Sequence, residues 1–274
     1  MRKHILWMTC ALCIISVSVI SFGFAKKSSL TVIDSSNIKT TATANSSAKI
    51  RFVQYVDDIY SSAKLKFSGL DSAVFEKALV GYYNLKVANM LPLASSVITV
   101  VDFNKPSTQK RMWIVDVLNK KLLLNTWVAH GQGSGNDMAD AFSNNNESHQ
   151  SSLGFYVTDD TYVGKHGRSL RLNGVDRGFN DQARNRAIVL HAADYVSQGT
   201  INQLGRLGRS HGCPAVAPEL CDQIINTVKN KNMLFITGRD QRYTSKFLNE
   251  DSAAQFALMN DTNPIVLKEA IAQN

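Results

Sequence analysis

The sequence predicts a mainly-β domain over roughly residues 95–238, with helices before and after it. Three observations predict it. Short β-branched and apolar runs recur from about Val97 onward, each bounded by turn residues. Ahead of that point, apolar residues fall at helical spacing instead. The regular strand–helix alternation of a Rossmann or TIM fold is missing, and no period of 20–50 residues repeats, which argues against solenoids and propellers.

Each element follows from its own pattern. Phe52, Val53, Val56, Ile59, Tyr60 and Ala63 mark one helix. Asp71 or Ser72 can cap a second, carrying Val74, Phe75, Ala78, Leu79, Tyr82 and Leu85, so 49–95 reads as a helical extension. Val97–Phe103 is a strand. Arg111–Val117 and Leu122–Ala129 flank Leu118–Lys121 as a hairpin. Residues 136–152 are polar and loop-like. Leu153–Thr158, Ser169–Leu172 and Ala187–His191 are further strands. Pro218 opens a helix through Ile224, Ile225 and Val228, and Met233–Thr237 is a last strand ended by Gly238. The tail 239–274 contains weakly helical stretches suited to covering a sheet edge.

The chain has 274 residues with 44% hydrophobic and 19% charged, enough to bury a core and unlike a disordered tail. Residues 1–25 join a basic start (Arg2, Lys3, His4) to an uncharged apolar run ending at Gly23-Phe24-Ala25. This is the pattern of a secretory signal peptide, with an uncleaved membrane anchor as the competing reading. Residues 26–48, rich in Ser, Thr, Ala and Asn, read as a flexible linker. Loss of the leader removes Cys10 and Cys13, leaves Cys213 and Cys221, and takes the formal net charge from +8 to +6. So few cysteines cannot frame an exported fold. The positive balance suits an anionic envelope polymer, but no basic stripe with interleaved aromatics points to nucleic acid.

Chemistry concentrates in Gly205–Pro214 (G-R-L-G-R-S-H-G-C-P). A thiol attacks as thiolate, and a histidine can take its proton. Cys213 is thus a candidate nucleophile, against the alternative of a small buried residue. Gly212 permits a turn that projects the thiol and aims N–H groups at one spot. Arg206 and Arg209 add positive potential. His191 ends an apolar strand and is the best candidate base; a core histidine is its plain alternative. His211 suits support or substrate contact. Cys221, at the start of a helix, reads as core. His130, His149, His166 and His191 show no zinc-ligand spacing, so no metal is expected. His130–Gly135 lacks the Lys-Ser/Thr of a P-loop, and G-x-S-x-G is absent.

Ser210-His211-Gly212-Cys213, preceded by His191, resembles the catalytic motif of the YkuD-like L,D-transpeptidases. Val128–Gly131, Ser151–Tyr156, His166–Leu172 and Arg186–His191 extend the likeness over roughly 80–238 to murein L,D-transpeptidase catalytic domain proteins. The resemblance implies a β-sandwich or barrel core over 96–238, with a helix after the catalytic Cys segment. It implies Cys213 as nucleophile, His191 as base and the Ala192 carbonyl as the imidazole's anchor. Ser210, His211 and Gly212 would shape the site and its oxyanion hole, while Tyr156, His166, Arg206 and Arg209 would touch substrate. The implied substrates are donor and acceptor peptidoglycan stem peptides, joined through an acyl-enzyme in the periplasm or cell envelope without a cofactor. The same acyl-enzyme resolved by water gives an L,D-carboxypeptidase, and an inert Cys213 gives a wall-binding module. The His191–Ser210 spacer of 18 residues is slightly long, and Pro214-Ala215 replaces the hydrophobic residue plus Asn or Arg that commonly follow the Cys.

Overall fold

The β-branched runs assemble into one eight-stranded sheet. The computed structural model describes residues 35–261, with side chains from 47 to 259. The strands are β1 (Val97–Asp102), β2 (Met112–Asp116), β3 (Lys121–Thr126), β4 (Gly154–Gly164), β5 (Gly167–Gly174), β6 (Val189–Ala192), β7 (Ala215–Val216) and β8 (Met233–Thr237). Their order is β3-β2-β1-β8-β4-β5-β6-β7. Pairing is parallel at β1–β8 and β6–β7 and antiparallel elsewhere.

The two ends of that order meet. Beyond β3 the chain curls so that Ala129 bridges Ala215 of β7 and Gly131 bridges Ser210. The Ala129 N–H donates to the Ala215 carbonyl at 2.8 Å, and the Ser210 N–H to the His130 carbonyl at 2.9 Å. The sheet is therefore a nearly closed barrel whose last seam runs beside the candidate nucleophile. An edge strand of two residues would be weak alone; β7 is held from both sides.

Among the described residues, five α-helices flank the sheet: α1 (Ser35–Ser62), α2 (Ser72–Val87), α3 (Gln198–Leu204), α4 (Pro218–Val228) and α5 (Glu250–Asp261). Asp71 starts α2 by accepting the N–H groups of Ala73 and Val74 at 2.9 and 3.2 Å. Phe52, Ile59, Phe75, Leu79 and Tyr83 of α1 and α2 pack with Ile98, Val100, Trp113, Phe155 and Phe235 on one sheet face. Ile224, Ile225 and Val228 of α4 pack with Leu170, Leu190, Leu234 and Ile236 in a second core. Each such side chain contributes about 1.5–3 kcal/mol on burial, so the helical layer is part of the fold's stability.

Two sequence expectations change. The stretch 26–48 is not a linker throughout, because α1 already runs from Ser35. Once the amphipathic turns around Phe52 and Val56 are docked, each preceding residue extends an existing helix at little cost, which low propensity alone does not prevent. The described part of the tail, up to Asp261, lies in the helical layer and not on a sheet edge: Ala253, Ala254 and Ala257 of α5 are buried there. The segment leading to it is pinned by buried Asp176, which accepts from Phe155 N–H, Tyr243 Oη and Ser245 Oγ. Cys213 and Cys221 are both free thiols. The leader 1–25, residues 26–34 and residues 262–274 lie outside the described residues; no described helix is long and apolar enough to cross a membrane.

Candidate active site

The parallel pairing of β6 with β7 sets His191 opposite Ala215. Counting back two residues on each strand brings Val189 beside Cys213, since alternate residues share a sheet face. The Val189 N–H lies 3.5 Å from Cys213 Sγ, and that thiol reaches the Ala187 carbonyl at 3.8 Å. His191 and Cys213 line one cavity of about 400 Å³, within the size range of small-ligand sites.

His191 is 3% exposed. Its Nδ1 bonds the Ala192 carbonyl at 2.8 Å. A carbonyl only accepts, so the proton sits on Nδ1 and Nε2 is left as the proton acceptor. The His166 ring, at the tip of the β4–β5 hairpin, stacks on His191 with centroids 4.3 Å apart.

The turn carrying the thiol is tightly tied. Ser210 Oγ donates to the Cys213 carbonyl at 2.6 Å and accepts the Gly212 N–H at 3.0 Å. Gly212 has φ +118°, and an added Cβ would meet the Gln150 carbonyl at 2.7 Å, so glycine is required. Gly131 is required for a different reason: a Cβ there would lie 2.3 Å from the His149 carbonyl and 2.8 Å from Gly212 Cα. The Gly212 N–H donates to Ser210 Oγ. The Cys213 N–H has no hydrogen-bond partner among the described residues.

Burial pushes the Cys213 thiol up, against the opposing pull of the Val189 N–H and the cations Arg186 and Lys165. Burial pushes His191 down, against its bond to Ala192, with His166 and Lys165 lowering it further. Both shifts favour the neutral forms, thiol and imidazole. Among the described residues, Lys165, Arg186 and Arg209 line the cavity and no Asp or Glu does. Its potential therefore suits an anionic substrate.

Most of the expected residues converge. Cys213, His191, Ser210, His211, His166 and Arg209 line the cavity, with Ala192 behind the imidazole. His211 is exposed and stacks on His149 at 4.3 Å. Two expected contacts fail. Tyr156 is fully buried in the second core, and its hydroxyl donates to the Ser152 carbonyl at 2.9 Å. Arg206 turns back onto the Leu207 carbonyl at 2.7 Å and is not among the lining residues, because the left-handed Gly205 after α3 (φ 70°) redirects the chain.

Sequence reasoning missed Arg186. Its Nη1 donates to the Ser143 carbonyl and Ser152 Oγ, and its Nη2 to Ser148 Oγ and the Gln150 carbonyl. One guanidinium thus fastens the polar 143–152 segment as a wall beside Gly212 and the thiol. Also missed was buried Arg111, which bonds the Val128 and Lys105 carbonyls and His130 Nδ1 at 2.7 Å. Arginine only donates, so His130 is a neutral acceptor, with burial and that cation holding it down at about 4. The His130 carbonyl accepts the Ser210 N–H, so the braced residue supports the turn that carries the thiol.

Arg186→Met takes the donor from Ser152 Oγ and the Gln150 carbonyl, while the Ser143 carbonyl keeps Ser152 Oγ and Ser148 Oγ keeps the Gln150 N–H. At about 1–3 kcal/mol for a group left unsatisfied, the variant is expected to melt at a lower temperature by about 2–8 °C. Its Cys213 alkylation should also shift to higher pH, because a cation beside the thiolate is lost. A melting drop with no alkylation shift would leave Arg186 a purely structural clamp. Lysine should not restore the fork.

A YkuD_2 profile, described as L,D-transpeptidase catalytic domain, matches residues 66–237. Comparison with curated proteins gives no match. Among solved structures, an L,D-transpeptidase from Mycobacterium smegmatis is similar at 12% identity and TM-score 0.33, covering 53% of this chain and 59% of that one. An L,D-transpeptidase from Stackebrandtia nassauensis matches at 13% and 0.33, covering 54% and 58%. The helical cell shape determining protein Pgp2 (K307A) from Campylobacter jejuni matches at 13% and 0.37, covering 65% and 62%. The chain spans about three fifths of the length of these structures.

Proposed function

Because the chain belongs to the YkuD_2 L,D-transpeptidase catalytic domain family, we propose that it is an exported enzyme that cross-links peptidoglycan stem peptides through a thioester on Cys213. The observation that carries this reading is one cationic cavity holding a strand-fixed imidazole and a turn-fixed thiol, with the imidazole proton pinned on Nδ1 by Ala192. The basic leader and apolar run of residues 2–24 support export.

The chemistry follows from two neutral groups. His191 Nε2 takes the thiol proton as Sγ attacks the carbonyl carbon of the third-position, L-configured diamino acid in a donor stem. The oxyanion that develops is met by the Cys213 N–H. When the tetrahedral species collapses, the C–N bond breaks and the imidazolium returns the proton to the leaving terminal D-amino acid. A second stem's amine then attacks the thioester, His191 takes its proton, and the thiol is restored. Lys165, Arg186 and Arg209 favour a donor carrying a free carboxylate.

Purified protein incubated with tetrapeptide-rich sacculi, followed by muramidase digestion and mass spectrometry, tests this directly. Cross-linked dimers are expected to accumulate. Shortened monomers alone would make the enzyme an L,D-carboxypeptidase, and unchanged muropeptides would leave a wall-binding protein.

A further inference from the structure

The base is fixed by its own strand at only one atom. The Ala192 carbonyl holds His191 Nδ1 at 2.8 Å, and a single hydrogen bond leaves a ring free to tilt about it. Neighbours across the sheet do not stop that tilt. The residues in register with His191 are Ser169 on β5 and Ala215 on β7, both small. The bulk comes from outside the strand. The His166 ring lies over the imidazole, with centroids 4.3 Å apart and planes at 27°.

His166 is itself placed by the chain around it. Lys165 and His166 form a two-residue loop between Gly164 and Gly167, which pair with each other. Gly167 has φ +72°, a conformation that favours glycine. The Ser169 hydroxyl donates to the Gly167 carbonyl at 3.3 Å. Arg168 reaches α4, donating to Asp222 Oδ1 at 3.2 Å and Asn226 Oδ1 at 2.9 Å. The hairpin tip is thus tied both to a packed helix and to the strand that pairs with the base. What His166 offers the base is a ring face, not a hydrogen bond.

The titratable groups around the cavity are Tyr162, Lys165 and His166 of the hairpin, Arg186, Tyr195, and Arg209, His211 and Cys213 of the thiol turn. Those that act on His191 are His166 and Lys165, both downward and in the same sense as burial. The ring that covers the imidazole therefore also helps to keep it a proton acceptor.

We infer that His166 is the positioning residue of the base: its ring face sets the tilt of His191 so that Nε2 is aimed into the cavity. The inference deepens the acyl-transfer reading above, on which its kinetic half rests.

The test uses the full chain with His166→Ala and His166→Phe. Both change an exposed loop residue and leave the fold intact. Imidazole titration is followed by NMR of the ring carbons, with His191 assigned by the signal lost in His191→Gln. Thioester formation is read by intact-protein mass spectrometry over a range of disaccharide-tetrapeptide donor. In His166→Ala the His191 titration should move up toward the ordinary value of about 6.5, because cover and a like charge are both lost. The maximal acylation rate should fall about ten-fold or more, the scale of a misplaced catalytic group, at an unchanged half-saturating donor concentration. His166→Phe keeps a ring face without a charge. It should recover most of the rate and titrate between the other two. A wild-type titration and rate in His166→Ala overturns the assignment. So does a rise in half-saturating donor alone, which makes His166 a substrate contact, and so does a His166→Phe as slow as His166→Ala. No thioester on the wild type is a separate result: the acyl-transfer reading then falls, and the His191 titration alone decides the role of His166.

Discussion

Cys213→Ala is expected to abolish both adduct formation and cross-linking, a loss of at least about 10³-fold, while the folded protein persists. Nucleophile removal has effects of this order or larger because the covalent route is closed. No lining residue can substitute. Ser210 Oγ is committed to the Cys213 carbonyl and the Gly212 N–H, and Ser169 Oγ to the Gly167 carbonyl at 3.3 Å. The fold survives because the thiol makes only two long sulfur contacts. Cys221→Ala is the control. That thiol is 4% exposed, packs in the second core, and is pushed up to about 11 by burial and Asp222. Its loss should cost stability by about 1 kcal/mol, in the range of a small core truncation, and leave activity intact. Intact mass after carbapenem treatment should show an adduct on wild type and Cys221→Ala and none on Cys213→Ala. Full activity in Cys213→Ala would overturn the mechanism.

The sequence carried the parts of this molecule that depend on local pattern. Val97–Asp102, the β2–β3 hairpin, α4 and Met233–Thr237 each lie where β-branched runs, turn residues or an N1 proline place them. Cys213 and His191, which line one cavity, stood out as candidates because a glycine-rich turn and an apolar strand are local signals too. What stayed hidden depends on distant partners. β7 has two residues and exists only because β6 and the Ala129 segment both pair with it. The barrel closure therefore had no signature of its own. The polar 136–152 stretch gave no sign of being a wall, since its order comes from Arg186, more than 30 residues away. Tyr156 was misplaced for a related reason: alternation along a strand says that two faces exist, not which one meets the cavity. His166 and Lys165 are ordinary surface residues in sequence, and only the meeting of β6 with the hairpin tip brings them to the imidazole.

His191→Gln should lower kcat/KM for donor acylation by about 10²–10⁴-fold, the usual contribution of a positioned general base. Glutamine keeps much of the volume and a donor for the Ala192 carbonyl, so the stacked His166 ring and the β5–β6 pairing retain a similar neighbour. What it cannot do is accept the thiol proton and return it. The pH dependence distinguishes this from misfolding. In the wild type, burial holds His191 below the ordinary imidazole value of about 6.5. Protonation is what disables a base, so a lowered value moves the acidic limb of kcat/KM below that point and keeps the enzyme active into mildly acid conditions. Burial holds the Cys213 thiol above its ordinary range, so the alkaline limb moves upward and the plateau between them widens. In His191→Gln the acidic limb should vanish. The residual rate should instead climb with pH as Cys213 ionises without help, tracking its alkylation by iodoacetamide. An acidic limb that persists in the variant would assign the titrating base elsewhere, with His166 the first residue to examine because its ring lies against the same imidazole.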